Sequence, residues 1–166
     1  MNSEINGRPV VPRSGFIVEI NALWYNALLF NADLLKASGR DADADKCTQL
    51  AEKTGEAFKD TFLNQHGYLL DYVDEGYISW SVRPNMLIAS SLEYSPLTTA
   101  ERKKILDICT KELLTPKGIR SLSPKSGGYN PIYAGGQMQR DAAYHQGTVW
   151  PLSLIHISEP TRLLSI

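Results

Sequence analysis

Cysteine is scarce. Cys47 and Cys109 are the two thiols in 166 residues, too few for a disulfide framework. Each falls on the apolar stripe of a helix-like run, so both read as small buried hydrophobes suited to a reducing, cytoplasmic location. Histidine is scarce too: His66, His145 and His156 stand apart, with no Cys or His at ligand spacing, so no metal is expected. No apolar run approaches the roughly 20 residues needed to span a bilayer. Met1 to Arg8 shows neither the charged nor the apolar region of a signal peptide. A charge excess is also missing. The net charge is -1 and the lysines and arginines are scattered, so no basic face argues for nucleic acid or an anionic membrane as partner. There is no G-x-S-x-G elbow for a serine hydrolase. Gly127-Gly128 and Gly135-Gly136 lack the flanking pattern of a phosphate loop and read as turns.

What is present is helical. Residues 1–15 are loop-like, punctuated by Asn6-Gly7, Pro9, Pro12 and Gly15. A helix is predicted over about residues 19–38, with Ile20, Leu23, Trp24, Ala27, Leu28, Leu34 and Leu35 at helical spacing and Gly39 as its stop. Asn21, Asn26 and Asn31 are poor helix formers inside it. They face either solvent or a polar cavity at one helix end. A second helix is predicted over about 43–62, with Cys47, Leu50, Ala51, Phe58 and Phe62 on one face and mainly charged residues on the other. An aromatic stretch, 68–80, leads to a short helix after Pro84. A fourth helix over about 99–114 opens with a capping-box spacing, Thr98 and Glu101. Residues 115–146 read as one long loop, too long for a connector and so functional. The pattern is antiparallel helical hairpins, all-α, with the long connections elaborating one end. That end should bring 115–146 and 68–80 together.

Carboxylates in polar, aromatic surroundings are the best chemical signal: Glu19, Asp71, Asp74, Glu75 and Asp141. Sugars present apolar ring faces and hydroxyls, and sites for them pair aromatic platforms with carboxylates, amides and arginine. Trp24, Tyr25, Trp80, Tyr129, Tyr133, Tyr144 and Trp150 could supply platforms, or could be core.

Five segments then occur in order: G-R-P-V-V-P-R-S-G from Gly7, V-E-I-N-A-L-W-Y-N-A-L from Val18, R-P-N from Arg83, L-L-T-P-K-G-I-R-S-L-S-P from Leu113 and R-D-A-A-Y-H-Q-G-T-V-W-P from Arg140. Together they resemble the C-terminal glucosidase domain of bacterial and archaeal glycogen-debranching enzymes, and the chain would be a piece of such a domain. The resemblance covers residues 1–151. It implies an (α/α)6 barrel, here incomplete, inverting hydrolysis of α-1,6-linked glucose in an α-glucan (glycogen or its limit dextrin), and no cofactor. Such hydrolysis needs an acid and a base roughly 6.5–9.5 Å apart on opposite ring faces. The resemblance puts the acid in a T-W-M-D-like element, where this chain carries Asn2, and the base downstream of T-V-W-P. An amide cannot protonate a leaving oxygen, so neither catalytic residue is assigned and the chain alone is expected to be inactive. What the resemblance leaves is sugar-pocket wall: Glu19, Asn21, Trp24, Arg83, Arg140, Asp141, His145, Gln146 and Trp150. Each also has a plain structural reading, such as a first-turn carboxylate for Glu19 or core for Trp24 and Trp150. Two other readings stay open: a glucoamylase- or trehalase-like (α/α)6 glycosidase, and a non-catalytic helical module that binds α-glucan.

After T-V-W-P the sequence runs L-S-L-I-H-I-S-E-P-T-R, which resembles the translation of a transposase-type sequencing adapter. Residues 152–166 are therefore expected to be foreign to the domain, and His156 and Glu159 to carry no function. Thermal unfolding of the chain with and without 152–166 should give superimposable transitions. A cooperative transition that disappears when the tail is removed would make the tail part of the domain.

Overall fold

The computed structural model describes residues 4–151. Asn2 and the 152–166 segment, with His156 and Glu159, lie outside the described residues. Two short strands come first, β1 (Glu4–Ile5) and β2 (Arg8–Pro9), paired antiparallel. Asn6 and Gly7 join them at φ 52° and 72°, the left-handed pair that a tight hairpin turn demands and that Asn-Gly supplies cheaply. The segment expected to be plain loop is thus a hairpin.

Next come β3 (Phe16–Ile17), α1 (Val18–Ala37) and α2 (Asp41–Phe62). The two helices start one or two residues earlier than the periodicity predicts. They form an antiparallel hairpin turned at Gly39, φ 75°, where the Ser38 and Arg40 amides donate back to carbonyls at the end of α1. Small residues line the contact: Ala22 and Ala32 on α1, Ala44 and Ala51 on α2, all buried. A Cβ on Gly55 would stand 2.9 Å from the Tyr25 ring, so this glycine is there for close approach. The large apolar residues used to predict α1 mostly face outward instead. Ile20, Leu23, Trp24, Phe30 and Leu34 are each between 43% and 57% exposed. Leu28 of the predicted set is buried, so α1 carries apolar residues on more than one side. Cys47 is only half-buried, against expectation, whereas Cys109 is buried and its thiol is pushed up to about 12 by that burial.

Strands β4 (Tyr72–Asp74) and β5 (Tyr77–Ile78) form a hairpin that pairs with β3, in the order β3-β4-β5. Helix α3 (Asn85–Ser91) follows Pro84 as predicted. Helix α4 (Thr99–Leu113) carries the predicted capping box: Thr98 accepts from the Glu101 amide, and Glu101 accepts from the Thr98 amide at 2.6 Å. Residues 115–146 are not one loop. They hold most of the hairpin β6 (Leu114–Thr115) and β7 (Gly118–Arg120), and helix α5 (Gln137–Tyr144); β8 (Val149–Trp150) then completes a second sheet, β6-β7-β8. The all-α expectation is corrected accordingly. About half of the described residues are helical, and the rest includes three small antiparallel sheets at the helix connections. These sheets were invisible to periodicity because strands of two or three residues show no alternation.

The core gathers Val18 and Ala22 of α1, Phe58 and Phe62 of α2, Met86 and Leu87 of α3, Ile105, Cys109 and Leu113 of α4, and Ile119 of β7. It also takes in Leu69, Leu70 and Val82, so the polar segments 71–81 and 120–147 hang from its edge. Among the described residues, no helix is long and apolar enough to cross a membrane. Replacing fully buried Ile105 by Ala should cost about 2–5 kcal/mol. The same change at exposed Leu34 should stay within about 0.5 kcal/mol. Urea unfolding of the two variants checks this; equal losses would mean that the outward face of α1 is packed in solution.

Candidate functional site

A buried carboxylate organises the polar edge. Asp71, 1% exposed, precedes β4. Its Oδ1 accepts from Arg13 Nη2 at 3.0 Å and from Asn85 Nδ2 at 2.8 Å. Its Oδ2 stands 3.0 Å from Arg13 Nε and 3.7 Å from Arg83 Nε. Neither of these last contacts is aligned as a hydrogen bond, so Oδ2 is held by charge alone. The Asp71 carbonyl accepts from the Val18 amide and from Arg13 Nη2, both at 3.2 Å, and this ties β4 to the start of α1. Arg13 also grips Glu19 with two bonds, at 2.5 and 2.6 Å, in the fork-to-fork geometry that carboxylates and guanidinium share.

Arg83, 7% exposed, carries the network across to the other segment. Its Nη1 donates to the Ser121 carbonyl at 3.2 Å and the His145 carbonyl at 2.5 Å, and Nη2 donates to Gln146 Oε1 at 3.0 Å. Ser121 closes the loop, donating to the Tyr144 carbonyl and accepting from the Gly147 amide. Burial pushes the Asp71 carboxyl up and the Arg83 guanidinium down, and the attraction between them opposes both shifts. Arg13 ends above its ordinary value, because Glu19 and Asp71 outweigh the cost of burial. Paired charges are tolerated there; a single one would not be.

The network borders a cleft of about 500 Å³, lined by Val10 to Pro12 and Ser14 from the segment before β3, by Tyr72, Asp74, Tyr77, Ser79 and Ser81 of the β4–β5 region, and by Arg83, Gly127 and Gln146. The 68–80 and 115–146 stretches therefore meet, as predicted. The Tyr72 and Tyr77 rings lie 5.5 Å apart at its wall, and Tyr77 is 56% exposed. A second, more apolar hollow of about 380 Å³ is lined by Tyr133, Tyr144, Thr148, Val149, Trp150 and Pro151.

Of the nine residues predicted as pocket wall, Arg83 and Gln146 line the cleft. Glu19 is one step behind it, clamped to Arg13. Asn21 is half-buried and donates to the Ile17 carbonyl at 2.8 Å. Trp24 lies on the exposed stripe of α1 and is not among the cleft residues. Arg140 and Asp141, on α5, do not bond each other; both bind Gln137. His145 sits edge-on to Tyr144 and to Trp150, with centroids 4.7 and 5.7 Å away, and Trp150 Nε1 donates to the Tyr144 carbonyl. Those three border the second hollow through Tyr144 and Trp150. Sequence reasoning missed Arg13, Tyr72, Tyr77, Ser79 and Ser81. Arg13 was legible in P-R-S-G, six residues before Glu19. The alternation from Tyr77 to Ser81, which turns Ser79 and Ser81 to the cleft and leaves Trp80 outward, was too short to read.

Burial first, and then the nearby Arg83 and Arg13 charges, hold His145 below its ordinary value of 6.5. A histidine with a depressed folded pKa adds stability that is complete above 6.5 and lost as pH falls through the folded value. Wild type should therefore lose stability relative to His145→Gln between about pH 7 and about pH 5. Denaturant titrations at both values check this, and parallel pH profiles would contradict it.

Comparison with known families matches this chain, over residues 1–157, to the amylo-alpha-1,6-glucosidase family. The chain is also similar to the glycogen debranching enzyme of Saccharomyces cerevisiae, at 29% identity over 179 aligned residues. That alignment takes in 87% of this chain and 12% of the yeast protein.

Proposed function

Since the chain belongs to the amylo-alpha-1,6-glucosidase family, we propose that it forms one wall of the sugar site of an inverting glycoside hydrolase that cleaves α-1,6 branch linkages in an α-glucan such as glycogen. The observation that carries this is the cleft itself: the P-R-S-G, R-P-N and H-Q-G segments, distant in sequence, converge through one buried ion cluster beside an aromatic, hydroxyl-rich wall. Exposed Tyr77 offers a ring face, Ser81 a hydroxyl and Gln146 a donor, with Tyr72, Ser79 and Arg83 buried behind them, which is the mixture a neutral sugar requires. The outward apolar stripe of α1 suits a helix that packs against further hairpins of an (α/α)6 barrel. Residues 1–151 are the part proposed to belong to that domain. Two unpaired thiols suit a cytoplasmic setting.

Hydrolysis by this chain alone is not part of the proposal. Inversion needs two carboxylates, one on each face of the sugar, whereas Asp74 is the carboxylate among the residues lining the cleft. Its acidity is strengthened by the Ser14 hydroxyl and the Glu75 amide, which suits an ion more than a proton donor. Glu19, Asn21, Trp24, Arg140, Asp141, His145 and Trp150 are proposed as supporting positions around the wall.

Titration of the purified chain with an α-1,6-linked glucose oligosaccharide, followed by NMR, should show binding in the millimolar range, about 4 kcal/mol. Resonances of Tyr72, Tyr77 and Gln146 should move, Tyr77→Ala should weaken binding about tenfold, and no glucose should be released. Unmoved cleft resonances at saturating sugar, or turnover by the isolated chain, would overturn the reading.

A further inference from the structure

The orientation of one amide is fixed by its neighbour's chemistry. Gln146 has an acceptor oxygen and a donor nitrogen, and the side chain can in principle lie either way round. Arg83 has donors only. The end of Gln146 that meets Arg83 Nη2 at 3.0 Å must therefore be the oxygen. Reversing the amide would set N–H against N–H beside a buried cation. Arg83 is held in place, because Nη1 donates to two carbonyls and the Asp71 carboxylate stands 3.7 Å from Nε. Gln146 Nε2 is thereby turned away from Arg83. Gln146 lines the cleft, and its Nε2 has no hydrogen-bond partner among the described residues and is not among the atoms sealed from solvent, so it can donate into the cleft.

We propose that Gln146 is a one-way hydrogen-bond donor to an oxygen of the bound sugar, and that Arg83 is the positioning residue that sets this polarity. The proposal rests on the sugar-site reading above and adds a rule for specificity. A sugar hydroxyl can donate or accept; facing Gln146 Nε2, it accepts. The cleft should then require an acceptor atom at that sugar position but not a hydroxyl proton.

A panel of methyl α-glucosides, each with one hydroxyl replaced by hydrogen or by fluorine, reads this directly, because fluorine accepts and cannot donate. Binding to the whole chain is followed by the Gln146 side-chain NH2 signal and by Tyr77. At one sugar position the deoxy compound should bind roughly five- to tenfold more weakly, as expected for one lost neutral hydrogen bond. The fluoro compound at that position should recover most of the loss. In Gln146→Glu, a carboxylate meets Arg83 and no donor remains. That variant should melt no lower than wild type, yet the fluoro compound should bind as poorly as the deoxy one. Arg83→Gln presents both a donor and an acceptor to Gln146, so the amide can lie either way round, and it should shrink the hydrogen-versus-fluorine difference while the Tyr77 shift persists. If Tyr77 responds to sugar but no position distinguishes hydrogen from fluorine, the donor assignment is wrong and the sugar site stands. If Tyr77 and Gln146 are both silent at saturating sugar, the site reading fails and the donor assignment falls with it.

Discussion

One carboxylate with almost no access to water sets the terms for the polar half of this molecule. An isolated ionised Asp71 would be too costly at 1% exposure, and two guanidinium groups without it would be as costly. Asp71 is tolerable because Arg13 and Arg83 are present, and each guanidinium is tolerable because Asp71 is, with Glu19 sharing the charge of Arg13. Breaking such a buried arrangement by removing one member typically costs about 3–5 kcal/mol. The cluster is also where the chain is stapled. Arg13 belongs to the segment before α1, Asp71 to the approach to β4, and Arg83 to the entry of α3, while the bonds from Arg83 reach Ser121, His145 and Gln146. The apolar core ends at this edge, and the cleft begins there.

The apolar half follows a different rule. In the α1–α2 hairpin, alanines and a glycine make the contact, so two backbones approach closely and large side chains are displaced to the outside. This explains how one helix can be long and regular yet leave Ile20, Trp24, Phe30 and Leu34 about half exposed. A helix with apolar residues on two sides is built for neighbours on two sides. α2 and α3 pack against α1, and the apolar stripe stays outward.

How much of this could be read from the residues varies with the length of the signal. Four helices of seven to twenty-two residues were legible, because spacing and the Thr98–Glu101 box repeat or punctuate strongly. Helix α5 was hidden by glycines before it and by a short, polar sequence. The strands were too brief for alternation, although Asn6-Gly7 did carry a hairpin signal. For the site, composition led to sugar chemistry, and the R-P-N and H-Q-G segments led to Arg83 and Gln146, which line the cleft. Trp24 lies away from the cleft lining, and a tryptophan in a matching motif looks the same whether it faces a ligand, a core or a neighbouring helix. Arg13 and Asp71 are joined across 58 positions by a contact that no local pattern encodes.

The claim on which the rest depends is that a single buried cluster holds the walls of the cleft together. Asp71→Asn keeps the shape and the bond that Asn85 reaches for, and it removes the charge that two guanidinium groups share. Backbone amide shifts of this variant, mapped against wild type, measure the claim most directly. The account predicts joint changes at Pro12–Ser14, Tyr77–Ser81 and Ser121–Gly147, three segments that meet at the cleft beside this cluster. Changes confined to the immediate neighbours of residue 71, with Gln146 and Ser14 unmoved, would contradict it.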